Sequence, residues 1–443
     1  MSPPESNPKR GGPYRRPRAD VYTVLLLLTL FALLIGILCL YFEMDAYNFE
    51  FKGGPTVSAP RSTMVAIVVV RSANQRFVRG ANNDYPLTPA PRARMLHQLF
   101  DSFGSDLAVD LGTANTLVSV VGEGLVLDEP SVVAVQQGSG RILSGGCAVG
   151  HLAKQMQGRT PDSITVVRPL RDGVITDFDL CEAMLRYFFR KVRRSRWQRK
   201  PRVLVAVPGC ITKVERRAVF NSVHRAGARE VWLIGEATAA AIGAGMPVAE
   251  PVASMVVDVG GGTTEVAVIS LADTVAASSV HTGGDRMDRA IVDYLRRHFS
   301  LRIGLPSAER LRIDIGSAFP LQEERVEEIS GLDSVGGLPR KATITSEEVR
   351  QALGDPLQEI IEAVKATLDD CSPDLAADLV SAGLVLCGGG SLLRGIDKYI
   401  SEQTGIPARI DAEPLSTVAR GLLICLEQFD NWRPSLQSSE DEV

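Results

Sequence analysis

One short pattern of residues occurs twice in this chain, and it constrains the fold more than any other feature. Each copy has an apolar run, an aspartate, a glycine two positions later, small residues, a threonine six positions after the aspartate, and a second apolar run. The copies span residues 107–120 and 255–269, with the aspartates at Asp110 and Asp258. Apolar runs on both sides of a small-residue turn are typical of β-hairpins. Two such hairpins far apart in sequence predict two similar half-domains that face each other.

The residues of both turns suit a phosphate group. Glycines let the backbone approach closely, so successive N–H groups can point at phosphate oxygens, and threonine hydroxyls add further donors. An aspartate would repel a phosphate unless a divalent cation lay between them, and carboxylates are preferred ligands of Mg²⁺. Each turn alone is also compatible with a purely structural hairpin, because Gly and Thr are ordinary turn residues. The presence of two polar turns favours a nucleotide with Mg²⁺ bound between two halves.

Composition places the chain among globular proteins and gives no general reason to expect nucleic-acid binding. Of its 443 residues 45% are hydrophobic and 23% are charged, and the formal net charge is −4. The fractions are those of globular domains, and a slightly negative chain has no overall attraction to nucleic acid. Its seven cysteines are dispersed without a C-x-x-C pair. This pattern predicts reduced thiols rather than a disulfide framework or a zinc site.

The first part of the chain does not share the globular pattern. Residues 1–20 are basic and rich in proline, which predicts a disordered tail. Residues 21–42 are uncharged and rich in leucine, and their length predicts a transmembrane helix better than a buried helix or a cleaved signal peptide. Acidic residues follow this segment, so the positive-inside rule would place the rest of the chain outside the cytoplasm. Residues 43–94 are interpreted as a linker.

Two further segments are candidates for contact with a membrane. Residues 95–103 would form a short amphipathic helix, which could pack on the body of the protein or lie on a membrane surface. Its apolar face includes Leu96, Leu99, Phe100 and Phe103. Residues 190–202 contain eight cations around Trp197. Such a run fits either a solvated charged surface or a loop that meets anionic headgroups.

Other segments predict further helices and glycine turns. Residues 179–192 have helical spacing with Asp179 as the N-cap, and residues 346–369 predict one long amphipathic helix. Glycine turns at residues 283–285 and 388–390 each precede a helix, which is typical of anion-binding turns.

In this combination the sequence resembles the actin/Hsp70/sugar-kinase superfamily, and within it the bacterial actins of the MreB family. The resemblance covers about residues 95–427. It is carried, in order, by the segments at 106–116, 128–135, 158–161, 168–177, 214–218, 239–246, 256–270, 283–285 and 388–395. It implies an α/β fold of the actin-like ATPase type, with two duplicated RNase H-like halves and the nucleotide in the cleft between them.

The resemblance also implies where each half lies. Half I is expected at residues 95–240 with an inserted subdomain at about 125–170, and half II at 241–430 with one at about 276–340. The last helices are expected to return to half I. Residues 431–443 are interpreted as an acidic tail.

By resemblance, ATP and Mg²⁺ would be held by both hairpins and by three later segments. The first phosphate turn comprises Asp110, Gly112, Thr113, Ala114 and Asn115. The second comprises Asp258, Gly260, Gly261, Gly262, Thr263 and Thr264. Further nucleotide-binding residues would be Gly283, Gly284, Asp285, Glu309, Arg310, Leu311, Arg312, Gly388, Gly389, Gly390, Ser391 and Leu392. The metal would be bound by Asp110 and Asp258, through water.

The resemblance assigns hydrolysis to Glu236 and Thr263, which would position the attacking water. A carboxylate can orient water and accept its proton during in-line attack on a γ-phosphate. The chain departs from the family pattern at three places: Gly235-Glu236-Ala237 replaces Glu-Glu-Pro, Pro208-Gly209-Cys210 replaces a turn such as Pro-Ser-Gly, and Arg312 replaces Lys. None of these changes removes a phosphate ligand, so they bear on the rate of hydrolysis rather than on binding.

The function implied by the resemblance is a slow ATPase that forms filaments at the inner face of the cytoplasmic membrane. It would determine rod shape by organising peptidoglycan synthesis, with further copies of itself, the inner membrane, and cell-shape and wall-synthesis membrane proteins as partners. An Hsp70-like chaperone would need a long C-terminal substrate domain, and a small-molecule kinase an acceptor pocket with a base aspartate. The sequence shows a signature of neither.

The start of the chain raises a separate hypothesis. Members of the family begin at a position like Met95, so residues 1–94 would be an extension from an upstream start codon. A start at Met95 would remove the conflict over membrane topology. Peptides from residues 11–94 at normal abundance in the native protein would contradict this hypothesis.

Overall fold

The computed structural model of the protein describes residues 29–31, 33, 106–137, 142, 148–193 and 200–438. The chain divides into two compact units, Met1–Pro89 and Ala90–Val443, and the described residues of the first are helical. No helix in these described ranges is long and apolar enough to cross a membrane. The predicted tail, nearly all of the predicted transmembrane helix and the predicted linker lie outside the described residues, so all three stay predictions.

The second unit is built from short strands and longer helices. The strands are Leu107–Leu111 (β1), Asn115–Val120 (β2), Gly124–Pro130 (β3), Val133–Gln136 (β4), Ile164–Val167 (β5), Leu170–Arg171 (β6), Val174–Ile175 (β7), Arg202–Val207 (β8), Glu230–Gly235 (β9), Ser254–Val259 (β10), Thr264–Ser270 (β11), Asp273–Val280 (β12), Leu301–Arg302 (β13), Val326–Asp333 (β14), Pro339–Thr345 (β15), Leu384–Cys387 (β16), Ala408–Ile410 (β17) and Gln437–Ser438 (β18). The helices are His151–Met156 (α1), Phe178–Val192 (α2), Lys213–Ala226 (α3), Glu236–Gly243 (α4), Gly284–Phe299 (α5), Leu305–Ile315 (α6), Ser346–Ala352 (α7), Gly354–Asp369 (α8), Pro373–Ala382 (α9), Ile396–Thr404 (α10), Thr417–Glu427 (α11) and Phe429–Trp432 (α12).

Two large sheets in this unit share one topology. The first runs β18-β9-β8-β1-β2-β3 and the second runs β12-β11-β10-β16-β17. In each sheet an antiparallel trio, β1–β3 or β10–β12, is extended by two parallel strands, β8 and β9 or β16 and β17. The predicted duplication into two similar halves is therefore confirmed. We call residues 107–235 half I and residues 254–410 half II.

The central strands are apolar because both faces of each sheet are covered. Every residue of β10 and of β11 is buried, as expected for strands that lie between two layers of helices. One core cluster fills the space between the two sheets and includes Ala108, Ala240, Val256 and Leu422. Two larger clusters cover the other faces of the sheets. The hydrophobic effect over these areas holds the hairpin ends in place.

Two helices join the halves. Helix α4 follows the last strand of half I and packs on β10 and β11, whereas α11 follows the last strand of half II and packs on β1, β2 and β8. They cross at Gly243 and Gly421. A Cβ atom on Gly243 would lie 1.9 Å from the carbonyl O of Thr417, and one on Gly421 would lie 1.8 Å from that of Ala239. Only glycine allows two backbones to approach this closely.

Each half carries a smaller lobe. In half I it consists of the antiparallel strands β4 and β5 together with α1. In half II it consists of the three-stranded sheet β13-β14-β15 together with α5, α6 and α7. Both lobes contribute side chains to the site described below.

Two local predictions are wrong. The N-cap of α2 is Asp177, whose carboxylate accepts a backbone hydrogen bond at 3.0 Å, and Asp179 lies in the first turn. The single helix predicted at residues 346–369 is divided at Leu353 into α7 and α8. Pro356 explains the division, because it has no N–H to bond the carbonyl four residues earlier.

Candidate functional site

Each hairpin turn is closed by a glycine two residues after its aspartate. A Cβ atom on Gly112 would lie 2.8 Å from the carbonyl O of Asn115, and one on Gly260 would lie 3.1 Å from that of Thr263. Both distances are shorter than an ordinary contact, so any other residue would force the turn open. The repeat in the sequence is thus a repeat in backbone geometry.

The two turns face each other at the junction of the halves. A Cβ atom on Gly261 would lie 2.5 Å from the Cβ of Ala114, and one on Gly262 would lie 2.9 Å from Oγ1 of Thr113. Glycine in the second turn therefore lets the two backbones meet. The hydroxyl of Thr113 also accepts a hydrogen bond of 3.0 Å from the N–H of Gly173. The first turn is thus held from both sides.

A cavity of about 390 Å³ opens beside the two turns. This volume is within the range of small-molecule sites. The predicted residues that line it are Asp110, Gly112, Thr113, Ala114, Asn115, Glu236, Asp258, Gly260, Gly261, Gly262, Thr263, Gly284, Glu309, Arg312, Gly388, Gly389, Gly390 and Leu392. The structure therefore brings both hairpins, the predicted catalytic pair and the third glycine turn to one place.

Other predicted residues lie beside the cavity rather than in its lining: Thr264, Gly283, Asp285, Arg310, Leu311 and Ser391. The hydroxyl of Thr264 donates to the carbonyl O of Thr282 at 2.6 Å, and that of Ser391 donates to the carbonyl O of Gly388 at 2.7 Å. Both hydroxyls therefore brace turns. The Leu311 side chain is buried in the core of half II, and Arg310 is exposed.

The glycine turn before α5 supports the second hairpin. The N–H groups of Gly284 and Asp285 donate to the carbonyl oxygens of Gly260 and Gly261 at 3.1 and 2.8 Å. The carboxylate of Asp285 forms an ion pair with Arg168, which belongs to half I. This predicted phosphate-binding segment thus holds the phosphate hairpin and links it to the opposite half.

The third glycine turn forms another wall of the cavity. Gly388 has a φ of +77°, and a Cβ atom there would lie 2.2 Å from Oδ1 of Asp258. The wall continues with apolar side chains, namely Leu392, Pro414, Leu415 and Val418. Leu392 and Leu415 are 53% and 56% exposed, so their surface is available to a flat apolar group such as a nucleobase. No local pattern in the sequence marked residues 414–418, because they reach the cavity only through the fold.

The lobes contribute charged side chains. Nε of Arg312 donates to Oδ1 of the buried Asp288 at 2.7 Å, so Arg312 is held within half II. Glu309 forms an ion pair of 2.9 Å with Lys154 of half I. Both members of that pair line the cavity. Sequence reasoning missed Lys154, since its partner is remote in the chain.

Two carboxyl groups that line the cavity, those of Asp110 and Asp258, have pKa values above their usual range. Burial, together with the charges of Asp258 and Asp128, raises the pKa of Asp110 to about 7. Burial also raises the pKa of Asp258 to about 6, although the Cys387 thiol beside it opposes the rise. A bound cation would relieve the repulsion between these two groups.

The donor set at this position fits a magnesium ion. Mg²⁺ is commonly held by one or two carboxylates together with phosphate oxygens and water. Asp110 and Asp258 supply two carboxylates beside turns that suit phosphate. Within the described ranges no cluster of three or more His, Cys, Asp or Glu side chains could hold a metal.

The predicted catalytic pair lies at the junction of the halves. Glu236 is the first residue of α4, and Thr263 lies in the second turn with 8% of its surface exposed. The pKa of Glu236 is raised well above its usual range by burial and then by the charges of Glu265, Asp110 and Asp258. Burial raises the pKa of Glu265 to about 7. The raised pKa makes the ionised form of Glu236 a stronger base, and that carboxylate can accept a proton from a reacting water.

The predicted membrane contacts cannot be placed. They are Leu96, Leu99, Phe100, Phe103 and Trp197, and all of them lie outside the described residues. These assignments therefore stay predictions. Among the described cysteines, Cys181, Cys210, Cys371, Cys387 and Cys425 are free thiols.

Comparisons with known proteins show which family and which fold the chain resembles. The model of the MreB/Mbl protein family matches residues 104–434. The cell shape-determining protein MreB of Escherichia coli (strain K12) is 51% identical over 347 residues, which are 78% of this chain and 100% of that protein. The crystal structure of MreB 5 of Spiroplasma citri bound to AMPPNP has a TM-score of 0.71 at 36% identity, over 75% of this chain and 98% of that one. A MamK double helical filament has a TM-score of 0.62 at 21% identity, over 73% and 98%, and shows the fold alone. The predicted actin-like α/β fold is confirmed by these structures.

Proposed function

The chain belongs to the MreB/Mbl family, and on that premise we propose that it is a cell shape-determining, actin-like ATPase that assembles into filaments. The observation that carries this function is the meeting of two like glycine turns at one cavity. The MreB of E. coli is a cell shape-determining protein, and MreB 5 of S. citri binds the ATP analogue AMPPNP. A chaperone role is not favoured, because the family match is to MreB/Mbl proteins.

ATP would lie with its phosphates between the two hairpins. The N–H groups around Gly112 and Gly260 can donate to phosphate oxygens, and the apolar wall that includes Leu415 can cover the base. Mg²⁺ would be held by Asp110 and Asp258 with phosphate and water, and would offset the charge of the phosphates. The raised pKa values of the two carboxyls support a bound cation at this place.

Hydrolysis would be slow and would depend on Glu236 and Thr263. Both side chains line the cavity. The Glu236 carboxyl can orient a water and accept its proton, while the Thr263 hydroxyl can hold the same water by a hydrogen bond. Assembly would be favoured by ATP, and hydrolysis followed by phosphate release would alter the stability of the filament.

Filaments of further copies of this chain would lie in the cytoplasm, at the inner face of the cytoplasmic membrane. MamK, which shares the fold, forms a double helical filament. Residues 95–103 and the segment around Trp197 would contact the lipid, and the membrane proteins of cell shape and wall synthesis would be partners. By guiding peptidoglycan synthesis, such filaments would maintain rod shape. Nucleic acid is not a partner in this function, since the chain has a net charge of −4.

Sedimentation with lipid vesicles tests this function. The full chain is spun with and without Mg²⁺-ATP, in the presence of vesicles that contain anionic lipid, while phosphate release is recorded in parallel. We expect ATP-dependent pelleting and slow phosphate release. The matched control is Asp258→Ala, which removes a proposed metal ligand and should abolish both.

The absence of pelletable polymer under every nucleotide condition would contradict the filament role. Pelleting that is the same with and without nucleotide, and unchanged in Asp258→Ala, would contradict the role of ATP. Expression of the chain in rod-shaped cells depleted of their own MreB then tests the cellular role. Continued rounding of those cells, at normal protein levels and with polymer formed, would contradict shape determination.

A further inference from the structure

Glu265 is a buried carboxylate with no counterpart in half I. It lies in β11 directly opposite Asp258, and its side chain is 4% exposed. The equivalent position in β2, opposite Asp110, is occupied by Leu117. A buried carboxylate is costly unless it is hydrogen-bonded. Half II therefore retains a polar group where half I has a simple apolar one.

Glu265 has partners in both halves. Within half II, the side chain of Ser279, which faces Glu265 from β12, forms a hydrogen bond with it; the partner from half I is Gly209. The N–H of Gly209, in the turn after β8, donates to both carboxylate oxygens at 3.1 and 3.2 Å. A Cβ atom on Gly209 would lie 3.9 Å from the nearer oxygen, which is an ordinary contact. The site therefore uses the N–H of residue 209 rather than its lack of a side chain. Hydrogen bonds from backbone N–H to an ionised carboxylate are among the stronger ones in proteins.

The turn that Glu265 holds also braces Thr263. A Cβ atom on Gly173 would lie 3.0 Å from Cγ of Pro208 and 3.2 Å from Cγ2 of Thr263. Pro208 and Thr263 therefore lie close to the same point beside Gly173, where half I approaches the second hairpin. Thr263 lines the cavity, whereas Glu265 lies behind it.

We infer that Glu265 is a positioning residue for ATP hydrolysis: it ties the Pro208-Gly209 turn of half I to the second hairpin and thereby fixes Thr263 relative to Glu236. This role rests on the proposed ATPase function. Because Glu265 does not line the cavity, it acts on the placement of the reacting groups and not on nucleotide affinity. A displacement of about 1 Å at a reacting group can lower a rate about a hundredfold.

Two substitutions at residue 265 distinguish the effect of the hydrogen-bond acceptor from the effect of the negative charge. Glu265→Leu installs the residue of half I and removes the acceptor, whereas Glu265→Gln keeps an oxygen that can accept from Gly209. We expect Glu265→Leu to lower kcat about tenfold to a hundredfold, with the Kd for AMPPNP changed by less than about threefold. Glu265→Gln should restore kcat to within about threefold of the wild-type protein. Each rate is measured on sedimented polymer, so that a loss of assembly is not mistaken for a loss of chemistry.

The donor side provides a second test that does not alter the buried carboxylate. Gly209→Pro removes the N–H, and Gly209→Ala is its matched control because alanine keeps the N–H and has room. We expect Gly209→Pro to lower kcat as Glu265→Leu does, and the double variant to be no slower than either single one. Gly209→Ala should behave as wild type.

The outcomes distinguish two failures. If the wild-type polymer hydrolyses ATP and folded Glu265→Leu or Gly209→Pro matches its kcat, the positioning role is overturned and the ATPase stands. If Glu265→Leu weakens AMPPNP binding as much as it slows hydrolysis, the residue has a general structural role and the inference also fails. If the wild-type protein binds ATP and releases no phosphate as polymer, the proposed function fails and the inference fails with it.

Discussion

The two phosphate hairpins have the same backbone but different neighbours. In both, a glycine closes the turn two residues after an aspartate. A threonine hydroxyl in each forms a hydrogen bond with a residue of its own half. Opposite Asp110, however, lies Leu117, and opposite Asp258 lies Glu265. Duplication thus explains the two glycine turns proposed to bind phosphate. It does not explain the polar groups that accompany only the second hairpin.

The two helices that join the halves, α4 and α11, also share a backbone contact and differ in the side chains near the cavity. Gly243 of α4 and Gly421 of α11 are equivalent by their mutual contacts. Seven residues before them lie Glu236 and Pro414, and both line the cavity. At this offset the first segment has a carboxylate, on the first residue of α4, and the second has an apolar ring, in the turn before α11. The turns proposed to bind phosphate are therefore shared by the halves, whereas the carboxylate proposed for hydrolysis and the apolar ring proposed to contact the base are not.

The largest expected effect tests the equivalence of the two helices. Gly243→Ala and Gly421→Ala each drive a Cβ atom into backbone at less than 2 Å. Because backbone cannot move aside as a side chain can, we expect each substitution to lower the free energy of unfolding by about 3 kcal/mol or more. Urea unfolding without nucleotide measures it.

Gly354→Ala is the control for these two variants. Gly354 is helical, and a Cβ atom there would meet nothing within 4 Å. It should be neutral or stabilising by up to about 1 kcal/mol. A large fall in the free energy of unfolding in Gly243→Ala, with no fall in Gly421→Ala, would show that the two glycines are not equivalent.

The next effect tests the division between binding and hydrolysis. We expect Glu236→Ala to bind AMPPNP nearly as wild type and to hydrolyse ATP about a hundredfold more slowly, since it loses the group that accepts the proton. Pro414→Ala, at the same offset from Gly421, should instead weaken nucleotide binding and leave kcat unchanged. Single-turnover phosphate release and fluorescence titration measure the two quantities. A Glu236→Ala variant that hydrolyses ATP at the original rate would refute the assignment.

The duplicated hairpins were predictable from sequence because their signal is local. Asp, Gly and Thr at fixed offsets report the backbone of one turn, and two copies imply two halves. The same pattern cannot tell where a hydroxyl points. Thr264 and Ser391 were therefore predicted as ligands, although both donate to backbone carbonyl oxygens.

Residues that reach the site from elsewhere could not be predicted. Lys154 and Leu415 lie far apart in the chain and contact the cavity only once both sheets and both lobes are assembled. The partner of Glu265 in half I is equally remote in the chain, so the sequence of β11 gave no sign of the bond between this glutamate and Gly209. The N-cap of α2 was predicted wrongly for a simpler reason. Aspartate is a good N-cap at either position, and the sequence does not show that the helix begins after Asp177 rather than after Asp179.

A smaller effect compares the two aspartates by pH. The folded-state pKa of Asp110 is about 7 and that of Asp258 about 6, both raised above the unfolded value. Raised carboxyl pKa values favour the folded state at low pH, and that stability is lost as pH rises through the folded pKa. The free energy of unfolding of the metal-free, nucleotide-free protein should therefore fall between about pH 4 and pH 7, that is, between the unfolded and folded pKa values.

Asparagine substitutions show how much each aspartate contributes to this fall in the free energy of unfolding. Because Asp110 is partly exposed to the cavity, we expect Asp110→Asn to gain on the order of 1–2 kcal/mol at pH 8 and much less at about pH 4, where the carboxyl is largely protonated in both states. Asp258→Asn should gain less, since the pKa of Asp258 is raised less. Unfolding is followed in urea with EDTA present. Equal stability of Asp110→Asn and wild type at both pH values would contradict the raised pKa described for this carboxyl.

The smallest effect concerns the ion pair between the lobes. The hydrogen bond between Gly209 and Glu265 is part-buried and ends on a buried carboxylate, whereas the side chains of Lys154 and Glu309 are 38% and 30% exposed. A pair so exposed contributes only about 0.2–1 kcal/mol, so Lys154→Met should leave unfolding nearly unchanged and speed release of a fluorescent ATP analogue about two- to fivefold. The doubly reversed variant, Lys154→Glu with Glu309→Lys, should return the release rate toward wild type. If Glu309 also contacts the adenosine, as the resemblance implies, Glu309→Gln will speed release more than Lys154→Met does. Equal effects would mean that Glu309 acts on the nucleotide only by holding the lobes together.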